Sequence, residues 1–177
     1  MCIDNLSKQL YANKRIGRWH SMKKKKKRVS VRNIVFFDND IALMHRLKDD
    51  KEYYVFPGGG LEKGETMEEC AVREMMEEFG ITIQPFKKIY QYEDDKRIHH
   101  FMLSKYVSGD FGSGNGEEYQ EHFEEKGFYI PGKHNLETIK NLKLYPTEIK
   151  DILLQDYETL KTLNHDHDFE IKSVVVE

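Results

Sequence analysis

No stretch of this 177-residue chain reaches 18 consecutive apolar residues, so the sequence offers no candidate membrane-spanning helix. Residues 1–28 lack the apolar middle segment of a secretory signal. Cysteine is scarce: Cys2 lies near the N-terminus and Cys70 in an acidic helical stretch. No disulfide framework is expected, which favours a reducing, cytoplasmic setting. Cys70 also has no histidine beside it in sequence, which argues against a thiol nucleophile. Internal repeats are absent. Basic charge is thin over most of the chain. Residues 1–32 hold 11 Lys/Arg and one Asp, a net of +10, and the remainder holds 17 against 30, a net of −13. An acidic body does not suit a general nucleic-acid binder, which presents a basic face. It suits a protein that gathers divalent cations.

What is present divides into three parts. Residues 1–28 form a basic leader ending in five lysines, residues 23–27, and Arg28. Such blocks read as solvated tails, with a nuclear or phosphate-binding patch as the alternative. Leu6, Leu10, Tyr11 and Trp19 allow a short docking helix there, and Met22 allows a later start. Residues 29–163 read as one domain. With 38% hydrophobic and 12% aromatic residues, a chain of this length can bury roughly two-thirds of its unfolded surface. Residues 164–177 read as a polar tail. His165 and His167 lie in it without the fixed geometry that a metal tract would need.

The densest information lies in residues 57–81. Thr66 and Glu69 have the spacing of a capping box, and Gly80 stands where a left-handed residue would end the helix. At 100° per residue, Val72, Met75, Met76 and Phe79 share one side, and Glu74, Glu77 and Glu78 share nearly the opposite one. Arg73 lies about a quarter-turn from the glutamates. Each like-charge pair at i,i+3 or i,i+4 costs about 0.2–0.5 kcal/mol. A hard cation with oxygen ligands would remove that repulsion, and Mg²⁺ fits best because it bridges carboxylates to phosphates. Immediately upstream, residues 57–60 are Pro-Gly-Gly-Gly. Glycines there let the backbone approach a ligand closely.

Gly59, Glu65, Arg73-Glu74, Met75, Glu77-Glu78, Gly80 and Ile81 are spaced as in the Nudix box, and the chain resembles the Nudix hydrolases over residues 29–163. At roughly one residue type in fifteen, the seven fixed letters coincide by chance on the order of once in 10^8 windows. The resemblance implies an α/β/α sandwich around a mixed β-sheet and hydrolysis of a nucleoside diphosphate linked to another group. It implies Mg²⁺ or Mn²⁺ held by Glu74, Glu77 and Glu78, with the Gly58 carbonyl often joining. Glu65 either helps the metal site or pairs with Arg73, which orients loop and helix. The general base is either Glu74 or a glutamate on a later loop. A homodimer is implied by analogy alone.

Elsewhere, residues 29–37 and 41–46 read as a hairpin around Asp38-Asn39-Asp40, and residues 53–56, 81–83, 87–93, 97–107 and 127–130 read as strands. Phe101, Leu103 and Val107 fall on one strand face. His99 and His100 alternate, so at most one faces any pocket. The glycine-rich loop 108–116 runs into Glu117, Glu118, Glu121, Glu124 and Glu125, and Glu118 is the candidate late-loop base. Thr147 reads as the cap of a terminal helix with Ile149, Ile152, Leu153, Tyr157 and Leu160 as its core stripe. Neither the proline nor the tyrosine marking ADP-ribose or dinucleoside polyphosphate subgroups stands beyond the box, and the coenzyme A motif is not apparent. By elimination a nucleoside triphosphate pyrophosphatase comes first, oxidised substrates such as 8-oxo-dGTP included. Behind it stand an ADP-sugar or dinucleoside polyphosphate hydrolase, a non-catalytic nucleotide sensor and a binder driven by the basic leader. Tyr53, Tyr54 and Phe101 are aromatic candidates for stacking on a base.

Overall fold

Period-two burial sorts the central strands between two cores. The computed structural model describes residues 26–116, 127–164, 166 and 168–176. Within it the strands are β1 (Arg28–Phe37), β2 (Asp40–Lys48), β3 (Lys51–Val55), β4 (Ile81–Glu93), β5 (Arg97–Gly109), β6 (Phe128–Asn135), β7 (Leu144–Tyr145) and β8 (Lys172–Val175). The helices are α1 (Met67–Phe79), α2 (Leu136–Asn141) and α3 (Thr147–Thr162).

Val31 and Val35 of β1, Ala42 and Met44 of β2 and Met102 of β5 pack under α1, against Cys70, Ala71, Met75 and Phe79. Their neighbours Ile34, Ile41, Leu43, Phe101 and Leu103 pack on the other face against Ile139 of α2 and Ile149, Leu153, Tyr157 and Leu160 of α3. The sheet is therefore the middle layer of an α/β/α sandwich.

The strand order is β7-β3-β2-β1-β5-β4-β8, with β6 on the other edge of β2. β1 runs parallel to β5 from Arg28↔Arg97 to Phe36↔Lys105, and antiparallel to β2 only at Phe36↔Ile41 and Phe37↔Asp40. Beyond that hairpin β2 leaves β1 and pairs with β3 from Met44↔Val55 onward. The gap between β1 and β3 is where the loop after β3 returns to the sheet.

Several elements differ from the sequence expectation. Residues 81–93 form one strand that absorbs Pro85 through register shifts against β5. β6 continues through Pro131 to Asn135. Val107 is 55% exposed because the end of β5 runs beyond the core. Pro146, not Thr147, occupies the cap of α3, with no side-chain hydrogen bond. Residues 172–175, read above as tail, pair in parallel with Tyr90–Glu93 of β4. The leader up to residue 25, Glu118, His165 and His167 lie outside the described residues. Among the described residues no helix is long and apolar enough to cross a membrane.

β8 is tied down by a buried carboxylate. The Tyr90 hydroxyl donates to Asp156 Oδ2 at 3.0 Å, and Lys172 Nζ donates to Asp156 Oδ1 and Oδ2 at 2.6 and 2.7 Å. Burial, and then the Asp156 charge, push the Tyr90 phenol above its ordinary value of 10.0. The folded protein thus holds this proton to higher pH than the unfolded chain does. That stabilisation is complete below about pH 10 and is lost as pH rises beyond it. Urea unfolding at about pH 8 and about pH 11 should show a steeper loss for the wild type than for Tyr90→Phe. Parallel losses would exclude this role for Tyr90.

Candidate active site

α1 begins and ends as its sequence dictates. The Thr66 hydroxyl accepts from the Glu69 N–H at 3.2 Å while the Glu69 carboxylate accepts from the Thr66 N–H at 2.8 Å. Gly80 closes the helix at φ 69°, its N–H directed to the Met75 and Met76 carbonyls. Met75 and Phe79 are buried as expected and Val72 packs partly buried against the same core, whereas Cys70 and Ala71 join the buried face and Met76 turns outward. Met76 is 43% exposed. Small Cys70 and Ala71 let α1 lie close on the sheet, which rotates the helix toward them.

Residues 57–61 lie alongside β1. Asn33 N–H donates to the Pro57 carbonyl at 2.8 Å, Val31 N–H to Gly59 at 2.9 Å, and Leu61 N–H to Val29 at 3.1 Å. Gly58 has φ +126°, and a Cβ there would strike the Val31 carbonyl. A Cβ on Gly59 would overlap the Glu74 carboxylate. The loop thus forms a cradle in which Glu74 lies directly against backbone. Glu78 grips the same loop, its Oε2 accepting from Gly58 N–H at 2.7 Å.

Two arginines organise this cluster. Arg73 Nε and Nη2 form a fork on Glu65, at 2.8 and 3.1 Å. Its Nη1 donates to Glu74 Oε1 at 2.9 Å and Glu77 Oε2 at 3.1 Å, and Nη2 reaches the Gly60 carbonyl at 3.2 Å. The quarter-turn expected between Arg73 and the acidic face is closed by the length of its side chain. Like-charge repulsion along α1 is relieved internally. The second arginine, Arg32 of β1, was not singled out in the sequence. Its Nη1 donates to the Gly58 carbonyl and, at 3.3 Å, to the Phe56 carbonyl. Arg32 stands with Asn33 between the apolar residues Val31 and Ile34 in the middle of β1, and that polar interruption was the available signal.

Burial raises the Glu74 carboxyl above its ordinary value, and the Arg73 hydrogen bond offsets part of that rise. The Arg73 hydrogen bond holds Glu65 low. Burial lowers Arg32, against the Glu78 and Glu74 charges that support its protonation. Cys70 is a free, buried thiol pushed up to about 12, chiefly by burial. At that value it is inert as a nucleophile.

Beside Arg32 opens a pocket of about 270 Å³ lined by Val55, Phe56, Tyr92, Asp94, His99, Phe101, Tyr145 and Pro146. Phe101, one of the stacking candidates, borders it. Tyr54 faces a different cleft and Tyr53 packs edge-on to Tyr145.

The NUDIX domain profile matches residues 26–131. The chain belongs to the Nudix hydrolase family. As a Nudix hydrolase it is an enzyme acting on pyrophosphate bonds. An 8-oxo-dGTP diphosphatase of Escherichia coli (strain K12) is 37% identical over 81 residues, 45% of this chain and 63% of that enzyme. An ADP-ribose pyrophosphatase of Methanocaldococcus jannaschii is 30% identical over 138 residues, 67% of this chain and 82% of that enzyme. A crystal structure of a Nudix hydrolase from Nitrosomonas europaea has a TM-score of 0.62 at 16% identity, covering 86% of this chain and 81% of that one. That likeness is one of fold.

Nudix hydrolases generally use divalent metal ions, and the donor set here is compatible with one. The carboxylates are hard oxygen donors of the kind Mg²⁺ takes, and the Gly59 cradle keeps Glu74 against the loop. Among the described residues no three acids converge as a ready-made cage. Arg73 Nη1 sits between Glu74 and Glu77, and Arg32 already occupies one side of the Gly58 carbonyl. A carbonyl oxygen has two lone pairs, so the second side is compatible with a further ligand. A cation must compete with Arg73 for the carboxylates.

Proposed function

We propose that this Nudix hydrolase converts a nucleoside triphosphate, oxidised forms such as 8-oxo-dGTP included, to the monophosphate and pyrophosphate. Mg²⁺ is the cofactor, with Mn²⁺ as substitute, held by Glu74, Glu77, Glu78 and the Gly58 carbonyl. The observation that carries the reading is the Glu74 carboxylate pressed into a loop that only glycine permits, with Glu77 and Glu78 on the same side of α1.

When bound, the cation neutralises phosphate charge and acidifies a ligated water. The chain's own residues do the rest. Glu65 acts as the counter-ion of Arg73, and Arg73 holds Glu74, Glu77 and the Gly60 carbonyl in one frame. Glu74, held against the loop by Arg73, is one candidate for the group that takes the proton of the attacking water. Glu118 is the other candidate base. Its support is that Gly116, two residues before it in sequence, donates its N–H to the Glu77 carbonyl at 2.9 Å. The aromatic pocket beside Arg32 would take the base. Its volume is just below the roughly 300 Å³ at which small-ligand sites begin, suiting one base rather than a whole nucleotide.

A second reading is hydrolysis of ADP-ribose or a related ADP-sugar. The likeness to the Methanocaldococcus jannaschii enzyme, over two-thirds of this chain, favours it. A nucleotide panel with product identification separates the two. Nucleoside triphosphates yielding monophosphate and pyrophosphate in Mg²⁺, silenced by EDTA and restored by Mg²⁺ or Mn²⁺, support the first reading. Turnover confined to ADP-ribose, giving AMP and ribose 5-phosphate, supports the second. No turnover with either cation sinks both.

A further inference from the structure

The pocket beside Arg32 has a polar rim that the phosphate chemistry leaves unused. Asp94 stands in the turn between β4 and β5 and lines this pocket. Its Oδ1 accepts the Lys96 and Arg97 N–H groups at 2.7 and 2.8 Å. Its Oδ2 lies 3.5 Å from His99 Nε2. On the far side of that ring, His99 Nδ1 is 2.7 Å from the hydroxyl of Ser30, which is fully buried.

Burial, and then the Arg32 charge, hold the His99 imidazole below its ordinary value, outweighing Asp94. The neutral ring has one donor nitrogen and one acceptor. Facing a carboxylate, Nε2 takes the hydrogen, and Nδ1 accepts from Ser30, an assignment that rests on the hydrogen-bond network. Burial opposes ionisation of Asp94, but the two backbone N–H groups and His99 outweigh it, so the carboxyl is held below the ordinary value. Asp94 is thus a fixed, acceptor-only group with about four acceptor positions, of which three face protein donors.

We infer that Asp94 reads the base of the bound nucleotide and selects purines protonated at ring N1, the guanine and hypoxanthine type, over adenine. This rests on the reading that the pocket takes the base. Phe56 and Phe101 are buried behind the pocket wall, so the rings open to a base are Tyr92 and Tyr145, which offer stacking to any base and make no choice between bases. The choice comes from two charged groups in one pocket: Arg32, which only donates, and Asp94, which only accepts. A lactam edge presents a carbonyl oxygen next to an N–H and matches that pair. Adenine in the same orientation presents an amine to the guanidinium and a bare ring nitrogen to the carboxylate. Both contacts are then unfavourable, and unpaired buried polar groups are costly. His99 and Ser30 are positioning residues for Asp94.

Calorimetric titration of the full chain with GMP, IMP and AMP, without divalent metal, tests the inference apart from turnover. The wild type should bind GMP and IMP at least ~10-fold more tightly than AMP, the low end for base-edge discrimination. Asp94→Asn keeps an oxygen for the Lys96 and Arg97 N–H groups, so the turn survives. In that variant the preference should shrink to within about threefold, because an amide both donates and accepts. Ser30→Ala should lower the GMP to AMP ratio partway while leaving AMP affinity unchanged. Equal binding of GMP and AMP by the wild type, no binding of any of the three, or an intact preference in Asp94→Asn would overturn the inference. A chain that shows the preference yet hydrolyses no nucleotide would refute the reaction while retaining the base reader.

Discussion

Glu78→Gln, and separately Glu77→Gln, should lower kcat/KM for the preferred nucleotide in Mg²⁺ by at least ~100-fold, from the size of metal and general-base contributions. Glutamine keeps the shape of the side chain. In the Glu78 variant it also keeps an oxygen for the Gly58 N–H that Glu78 now accepts at 2.7 Å. What each variant removes is one negative charge from a carboxylate cluster for which a cation must compete with Arg73. Glu77 is the more exposed, with 44% of its side chain accessible, so its replacement should leave the fold untouched. Glu78 also supports the buried Arg32 charge, and some loss of thermal stability is expected there as well. The measurement is initial rate across a Mg²⁺ titration, alongside a melting curve. Unchanged rates in both variants would reject the metal-ligand assignment.

Gly59→Ala should be nearly as damaging, through a single methyl group. Its Cβ would coincide with the Glu74 carboxylate, so Glu74 must leave the loop or the loop must leave β1. Displacing a catalytic group by about 1 Å can cost on the order of 100-fold in rate. Gly60→Ala is the matched control: a Cβ there meets nothing within 4 Å, and the Gly60 carbonyl that Arg73 uses is retained. Its activity should stay within about twofold of wild type, as for most substitutions in open space. Equal activity of the two variants would show that the cradle is not needed for the reaction.

The contrast between these neighbouring glycines is a tertiary fact. Both are present in the sequence, and nothing in Pro-Gly-Gly-Gly says which one faces a carboxylate from another element. The ends of α1 were legible because capping is local: Thr66, Glu69 and Gly80 act on backbone groups within a few residues. The spacing of Glu74, Glu77 and Glu78 was legible for the same reason. The buried face of α1 follows the sequence at Met75, Phe79 and in part Val72 and departs from it at Met76, because close approach to the sheet favours the small Cys70 and Ala71 over a larger side chain. Arg73 was placed off the acidic face because helical angles describe Cβ directions and not the reach of a long, branched donor.

Local rules in the chain itself were enough to specify a capped, two-faced helix with three carboxylates behind a glycine loop, and hence the family and its pyrophosphate chemistry. The fold had to supply what depends on long-range pairing. The parallel register of β1 with β5 brings Ser30 opposite His99, and the departure of β2 from β1 opens room for residues 57–61. Arg32 then meets the Gly58 carbonyl across 26 residues of chain, and residues 172–175 join a sheet edge that no local pattern requires. Those contacts join residues far apart in the chain, so no periodicity or short motif encodes them.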